Sequence, residues 1–129
     1  DEENNIKWAK ELEKVGCTVV YGVKNLKTHC KLTLIERKEG NRIRRYAHLG
    51  TGNYNDSTAK VYTDCGILTC RDSIGEDAAV VFQMLQGKVE PKTWNKLIVA
   101  PIWMKKKFLT LIDREIQNAR KGKKSFYGC

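Results

Sequence analysis

The sequence predicts an α/β fold. Three observations support this class. Helical apolar spacing is followed by a β-branched run near the N terminus, a central segment alternates with a period of two, and a long amphipathic stretch lies near the C terminus. A chain of 129 residues suffices for one domain, or for a piece of one.

Three helices are predicted from apolar spacing and end signals. The first covers about residues 4–15. The second covers about residues 73–86 and opens on a capping box, with Ser73 at the N-cap and Glu76 at N3. The third covers about residues 104–121. The stripe that we expect it to bury contains Phe108, Ile112, Ile116 and Ala119.

Five strands are predicted from apolar and β-branched runs. They cover about residues 17–21, 26–37, 42–49, 62–70 and 97–100. A turn around Gly40 joins the second and third of them into a hairpin, because glycine adopts turn conformations without steric cost. The first helix is followed by the predicted strand at 17–21, and this order predicts an α/β unit.

Positive charge is clustered in the sequence. The chain has 24 Lys and Arg residues against 15 Asp and Glu residues, which gives a net charge of +9. Most of the excess lies in residues 24–45 and 105–124. Such clusters favour polyanionic partners, namely nucleic acid, nucleotides, phosphate chains or an anionic membrane surface.

Cysteine usage and hydropathy restrict the cellular setting. The five cysteines form no Cys-x-x-Cys pair, which argues against a disulfide framework or a zinc site, and four of them lie in predicted strands as small apolar residues. No apolar run is long enough to span a bilayer, and there is no secretory signal. We expect a reducing, cytoplasmic setting. The chain starts at Asp1 without Met, so we expect a segment cut from a longer protein.

A histidine and a lysine share one face of the central predicted strand. His29, Lys31 and Thr33 alternate with Cys30, Leu32 and Leu34, so the two sets point to opposite faces. An imidazole can attack phosphorus, and an ammonium group can hold phosphate oxygens. The His-x-Lys pattern alone is weakly specific, because many partly exposed strands carry one by chance.

A glycine-rich loop follows the hairpin directly. Gly50-Thr51-Gly52-Asn53 alternates glycines with small polar residues, which lets backbone N–H groups approach an anion closely. The spacing does not match a P-loop. By itself the segment is equally well a tight turn.

Together, the two motifs resemble half of a phospholipase D type active site, His-x-Lys followed by Gly-Ser/Thr-x-Asn. This resemblance implies a phospholipase D-like mixed sheet flanked by helices, here incomplete at its N-terminal side. It also implies that His29 attacks phosphorus while Lys31 and Asn53 hold phosphate oxygens. The superfamily usually has an aspartate, the orienting acid, where this sequence has Glu36, so the sequence departs from the pattern at this position.

Longer segments resemble one family more closely, the bacterial polyphosphate kinases. They are residues 1–10, 26–32, 45–55, 58–64 and 112–116, so the resemblance covers essentially the whole chain. It implies an enzyme that reversibly transfers the terminal phosphate of ATP to inorganic polyphosphate, with His29 as the phosphohistidine. Tyr62 is implied to contact the nucleotide, and His48 and Asn55 to support the site.

The resemblance also implies what this chain lacks. Residues 1–129 would be a single catalytic-domain fragment, whose helix at about 103–122 leads towards a missing second catalytic domain. Mg²⁺ would enter with ATP, and its ligands would lie outside the fragment together with upstream arginines. We therefore expect no activity from the chain alone. We expect the full enzyme to be a homo-oligomer without a specific nucleic-acid partner, and peripheral association with a membrane stays open.

Two other functions are compatible with the same residues. A phospholipase D-like phosphodiesterase or nuclease would use the His-x-Lys and Gly-Thr-Gly-Asn motifs on a phosphodiester. A non-catalytic module would use the basic clusters to bind nucleic acid. In that case exposed aromatic residues should lie among the cations, and Tyr46 and Tyr54 are the candidates.

Overall fold

A computed structural model of the chain describes residues 2–126. The chain divides into two compact units, Asp1–Thr93 and Trp94–Cys129. The elements, in chain order, are α1 (Glu2–Lys14), β1 (Lys31–Glu39), β2 (Arg42–Gly50), a short 3₁₀ helix (Thr58–Lys60), β3 (Gly66–Thr69), α2 (Asp72–Leu85) and α3 (Met104–Arg120). The predicted α/β class is confirmed.

The sheet of the first unit has the order β1-β2-β3, and its neighbouring strands run antiparallel. The predicted hairpin is confirmed: β1 and β2 meet at a turn in which Gly40 has a φ of +60°, a conformation that glycine adopts readily. In the hairpin register Thr33 faces His48 and Leu34 faces Ala47. β3 continues the sheet beyond β2, with Gly66 opposite Gly50.

The core of the first unit lies between one face of the sheet and α2. Ala47 on this face is buried, and so are Ala78 and Val81 of α2. The helix approaches β2 closely at Gly75, where an added Cβ would lie 2.6 Å from the Cβ of Arg45. Side chains alternate between the two faces along each strand. The residues that alternate with Ala47 therefore project from the other face of the sheet, away from α2.

Two of the predicted strands are absent from the described part of the chain. Residues 17–21 form no strand, and the side chains of Val20 and Tyr21 are 46% and 67% exposed. Residues 97–100 lead instead into the turn before α3, where the N–H of Trp103 donates to the carbonyl of Val99 at 3.1 Å. Both predictions were wrong because an apolar β-branched run forms a strand only where a neighbouring strand pairs with it.

The helix predictions were correct in some details and wrong in others. The bounds of α3 agree with the predicted 104–121 to within one residue. The capping box was wrong, because α2 begins at Asp72 with Arg71 as its N-cap and without a side-chain cap. The stripe predicted to be buried on α3 is also largely open, since Phe108 is 53% exposed and Ile116 is 42% exposed. Helical apolar spacing shows which face of a helix is apolar, but it does not show whether another element covers that face.

The cysteines are more open than the sequence predicted. Cys17, Cys30 and Cys65 are exposed and Cys70 is partly buried, and all four are free thiols. Cys129 lies outside the described residues. Across residues 2–126 no helix is long and apolar enough to cross a membrane.

Candidate functional site

The His29 and Lys31 side chains lie in contact at the start of the sheet. β1 begins at Lys31, so the prediction that His29 lies within the strand was wrong by two residues. Nζ of Lys31 nevertheless lies 3.1 Å from Nε2 and 3.2 Å from Nδ1 of His29. An ammonium group only donates, so only a neutral imidazole, which has one unprotonated nitrogen, can accept from it. The contact places a cation beside the imidazole, and the neutral form of that ring suits attack on an anionic phosphoryl group.

A second histidine lies on the same face of the hairpin. His48 is directly opposite Thr33 in the register. Nδ1 of His48 lies 2.7 Å from the hydroxyl of Tyr54, and the Oγ1 of Thr33 donates to that hydroxyl at 3.0 Å. The rings of His48 and Tyr54 are also in contact, with centroids 5.6 Å apart. These contacts fix Tyr54, which belongs to the loop after β2, against the hairpin.

The glycine-rich loop is also held at its base. The N–H of Thr51 donates to the carbonyl of Cys65 at 2.9 Å, and the N–H of Cys65 donates back to Oγ1 of Thr51 at 3.0 Å. Oγ1 of Thr51 in turn donates to Oδ1 of Asp64 at 3.0 Å. An added Cβ on Gly52 would overlap the carboxylate of Asp64. Glycine at this position thus lets the loop pack against Asp64.

The remaining predicted site residues lie in or just beyond this loop. Asn53 and Tyr62 have exposed side chains, and in residues 2–126 no hydrogen bond joins either of them to His29. Oδ1 of Asn55 accepts from the N–H groups of Ser57 and Thr58 at 3.0 Å each. Asn55 therefore holds the turn that leads into the short helix before Tyr62, which is a structural role.

Glu36 lies on the opposite face of β1 from Lys31 and Thr33. Its Oε1 accepts from Nε of Arg45 at 2.7 Å, and the two residues are cross-strand partners. The α2 side of the sheet is the side on which Arg45 meets Gly75. Glu36 thus cannot orient the ring of His29, although it occupies the position where the sequence pattern suggested an acid.

The charge of the hairpin is partly neutralised by its own acidic residues. Glu39 lies 3.7 Å from Arg44 and accepts a hydrogen bond from the hydroxyl of Tyr46 at 2.5 Å. This hydrogen bond, together with the nearby arginine charges, lowers the pKa of Glu39. The same bond raises the pKa of Tyr46. Fewer cations of the hairpin are therefore free to bind an anion than the sequence suggested.

Side chains that could bind a metal ion form no cluster in the described part of the chain. In residues 2–126 no group of three or more His, Cys, Asp or Glu side chains is placed to hold a metal ion. A divalent ion at this site would need ligands from a bound phosphate or from other parts of a protein.

Thr33 was not identified as functional from sequence, and Tyr54 was named only as an aromatic candidate for nucleic-acid binding. The sequence contains a signal that could have identified Thr33. Thr33 shares a strand face with Lys31, and a turn centred on Gly40 pairs it with His48. Tyr54 had no comparable signal, because its position depends on the loop conformation. Asp64 was missed for the same reason.

Comparison with known proteins identifies the family. A family model described as "Polyphosphate kinase C-terminal domain 1" matches residues 1–91. The polyphosphate kinase of Exiguobacterium sibiricum is 55% identical over 121 residues, which make up 94% of this chain and 17% of that protein. The polyphosphate kinase of Thermosynechococcus vestitus is 52% identical over 122 residues, or 95% of this chain and 17% of that protein.

A solved structure agrees with these matches. The crystal structure of polyphosphate kinase from Porphyromonas gingivalis superposes with a TM-score of 0.78 at 35% identity, and covers 95% of this chain and 20% of that one. The chain thus spans about a sixth of the curated relatives' length (17%). Because the matching family model spans the sheet, α1 and α2, which carry the His29–Lys31 pair and the glycine-rich loop, the chain belongs to the polyphosphate kinase family.

Proposed function

We propose that this chain is the phosphohistidine-bearing part of an ATP–polyphosphate phosphotransferase. The observation that carries the proposal is the contact between Lys31 and the ring of His29 at the edge of the sheet. Family membership supports it, since the relatives in the comparison are named polyphosphate kinase. The reaction would run reversibly between ATP and a polyphosphate chain.

The first half-reaction transfers a phosphoryl group to His29. A neutral ring nitrogen attacks the γ-phosphorus of ATP, an N–P bond forms, and the bond to the bridging oxygen breaks to release ADP. Lys31 supplies positive charge to the phosphoryl oxygens, and Asn53, which is exposed in the glycine-rich loop, would donate to them. The negative charge that builds up on the leaving oxygen needs further cations.

The second half-reaction regenerates the histidine. A terminal oxygen of polyphosphate attacks the phosphohistidine, a new P–O bond forms, and the N–P bond breaks with its electron pair returning to the ring of His29. Mg²⁺ would enter with the ATP phosphates, and Tyr62 would contact the nucleotide from its exposed position beyond the short helix. Full-length enzyme would supply the remaining cations and would assemble as a homo-oligomer.

A chimaera gives a direct test. This chain replaces the matching segment of the Exiguobacterium sibiricum polyphosphate kinase, which it resembles at 55% identity. Incubation with γ-labelled ATP should give an acid-labile label that is lost in His29→Ala. Thr28→Ala is the matched control, because it changes the neighbouring exposed residue and should keep the label.

The other outcomes separate the competing functions. Cleavage of DNA without labelled protein would instead support a phosphodiesterase. Unchanged binding to nucleic acid in His29→Ala, without any chemistry, would support a non-catalytic basic module. The 129-residue chain by itself should make no polyphosphate, because it holds only part of a site, and measurable synthesis by it would contradict that expectation.

A further inference from the structure

The glycine-rich loop is anchored at its base to the segment that leads into β3. The N–H of Thr51 donates to the carbonyl of Cys65, and the N–H of Cys65 donates back to Oγ1 of Thr51. The next residue, Gly52, packs so closely against the carboxylate of Asp64 that an added Cβ would overlap it. The loop therefore leaves β2 along a path that is fixed on the β3 side of the sheet.

A second anchor follows the loop directly. The hydroxyl of Tyr54 accepts from Oγ1 of Thr33 at 3.0 Å and lies 2.7 Å from Nδ1 of His48. Because a phenol oxygen can both donate and accept, the contact with His48 forms whichever of the two groups supplies the hydrogen. The chain is thus tied back across β2 to β1 immediately after the loop.

This second anchor lies on the face of the sheet that carries Lys31. Thr33 pairs with His48 in the register, and it follows Lys31 by two residues of β1. Side chains two residues apart on a strand project from the same face, roughly 7 Å from each other. Lys31 in turn contacts the ring of His29. Tyr54 therefore ties the loop to the strand, and to the face of that strand, on which Lys31 lies.

Asn53 lies between the two anchors. Gly52, which packs on Asp64, precedes it, and Tyr54 follows it. The carbonyl of Asn53 accepts from the N–H of Asn55 at 2.8 Å, whereas its side chain is exposed. The backbone at Asn53 is consequently held on both sides while its amide stays open to solvent. A side chain that binds a phosphoryl group in a fixed geometry needs this kind of support.

We propose that Thr33 and Tyr54 are positioning residues that hold the glycine-rich loop against β1, and so keep the amide of Asn53 aligned for phosphoryl transfer at His29. Neither residue touches the reacting atoms in this role, because both act through the loop. This inference rests on the proposed function, since it is that function which makes Asn53 a phosphate-binding residue.

The first measurement is single-turnover labelling of His29 in the chimaera. Tyr54→Phe removes the hydroxyl that takes part in both bonds and should slow labelling about tenfold, whereas Thr33→Val removes one bond and should slow it about threefold. The two combined should be no slower than Tyr54→Phe alone, because they share one hydroxyl. Thr33→Ser keeps the donor and should stay within about twofold of the parent.

Matched controls make the same chemical changes elsewhere in the unit. Tyr21→Phe removes a tyrosine hydroxyl that donates to Glu13, and Thr18→Val alters an exposed threonine. Both controls should label His29 at the rate of the parent.

A double-mutant cycle with Asn53 separates positioning from a general loss of structure. Asn53→Ala removes the amide through which the anchor acts, and should itself slow labelling at least about tenfold. In that background Tyr54→Phe should have no further effect on the rate. Hydrogen exchange of residues 50–56 should rise in Tyr54→Phe, while that of β3 should stay at the level of the parent, because Thr51 still holds the base of the loop.

Each other outcome overturns the positioning role. These outcomes are parental labelling in Tyr54→Phe, unchanged exchange of residues 50–56, effects that multiply when Tyr54→Phe is combined with Asn53→Ala, and parental labelling in Asn53→Ala, which would leave the anchor nothing to position. In all four cases a labelled parent still supports transfer to His29. A parent that acquires no label on His29 would overturn both proposals together.

Discussion

Nε of Arg45 donates to Oε1 of Glu36 at 2.7 Å across the β1–β2 hairpin, on the face of the sheet opposite to Lys31. This pairing gives Glu36 a local partner at the position where the sequence pattern suggested an acid that orients the nucleophile. The side chains of Arg45 and Glu36 are 32% and 49% exposed, so water screens the pair.

Glu36→Gln should therefore leave catalysis intact. We expect the labelling rate of His29 in the chimaera to stay within about twofold of the parent, because the pair faces away from the site. Stability should fall by only ~0.2–1 kcal/mol, and by less at high salt. Labelling kinetics and denaturant unfolding check the two parts. A loss of labelling beyond tenfold would show that Glu36 acts on His29 after all.

Gly52→Ala should loosen the glycine-rich loop. The new methyl group overlaps the carboxylate of Asp64, and overpacking of this kind costs about 1–3 kcal/mol. Hydrogen exchange at the N–H groups of Thr51 and Cys65 reports the change, since both groups are bonded across the base of the loop. Their protection should fall in the variant.

A second substitution identifies the cause of that change. Asp64→Ala removes the carboxylate that the new methyl group meets, although it also removes the bond from Thr51. The double variant Gly52→Ala with Asp64→Ala should thus be less destabilised than the sum of the two single variants. Strictly additive effects would contradict the predicted clash.

Tyr46→Phe should change the acid sensitivity of the hairpin. The hydroxyl of Tyr46 is the largest cause that lowers the pKa of Glu39 below its usual 4.5. A folded-state pKa below the unfolded value contributes stability above about pH 4.5, and this stability is lost as the pH falls through the folded-state pKa. Without the hydroxyl, the pKa should rise towards its usual value and the contribution should shrink.

A carboxyl NMR titration of the chain measures this directly. The folded-state pKa of Glu39 should increase in Tyr46→Phe, and acid unfolding should begin at a higher pH. Tyr21→Phe is the control, because it removes a different tyrosine–glutamate bond, between Tyr21 and Glu13. An unchanged titration of Glu39 would show that the arginines, and not Tyr46, control this carboxylate.

Asn55→Ala should weaken nucleotide binding without slowing the chemical step. The substitution removes the oxygen that accepts from the N–H groups of Ser57 and Thr58, which costs roughly 0.5–1.5 kcal/mol for each hydrogen bond. The short helix that follows this turn sets the backbone at Tyr62, because the N–H of Tyr62 donates to the carbonyl of Thr58. If Tyr62 contacts ATP as proposed, KM for ATP should rise while kcat is retained. Asn55→Asp keeps the accepting oxygen and should behave like the parent. A fall in kcat at unchanged KM would instead place Asn55 at the reacting atoms.

The central part of the fold could be predicted because its signals are local. A period of two placed Lys31 and Thr33 on one face, and the glycine turn predicted the hairpin, whose register in the structure pairs Thr33 with His48. The bounds of α3 followed from its 3.6-residue period. In each case neighbouring residues contain the whole signal.

The remaining features depend on contacts distant in sequence. Residues 17–21 have the composition of a strand, but no strand in the described part of the chain pairs with them. The position of Tyr54 against His48 depends on the path of the glycine-rich loop, which Asp64 fixes from beyond it. The pairing of Glu36 with Arg45 can be recognised only when the register of β1 and β2 is known.

The facing glycines at positions 50 and 66 have an evolutionary consequence. The ring of His48 fills the volume that side chains at those two positions would otherwise take. A larger residue at position 66 would have to displace the ring of His48, and one at position 50 would require a smaller shift of it. A lineage that lost the histidine would be free to fill both glycines, and a returning histidine would then meet an occupied volume.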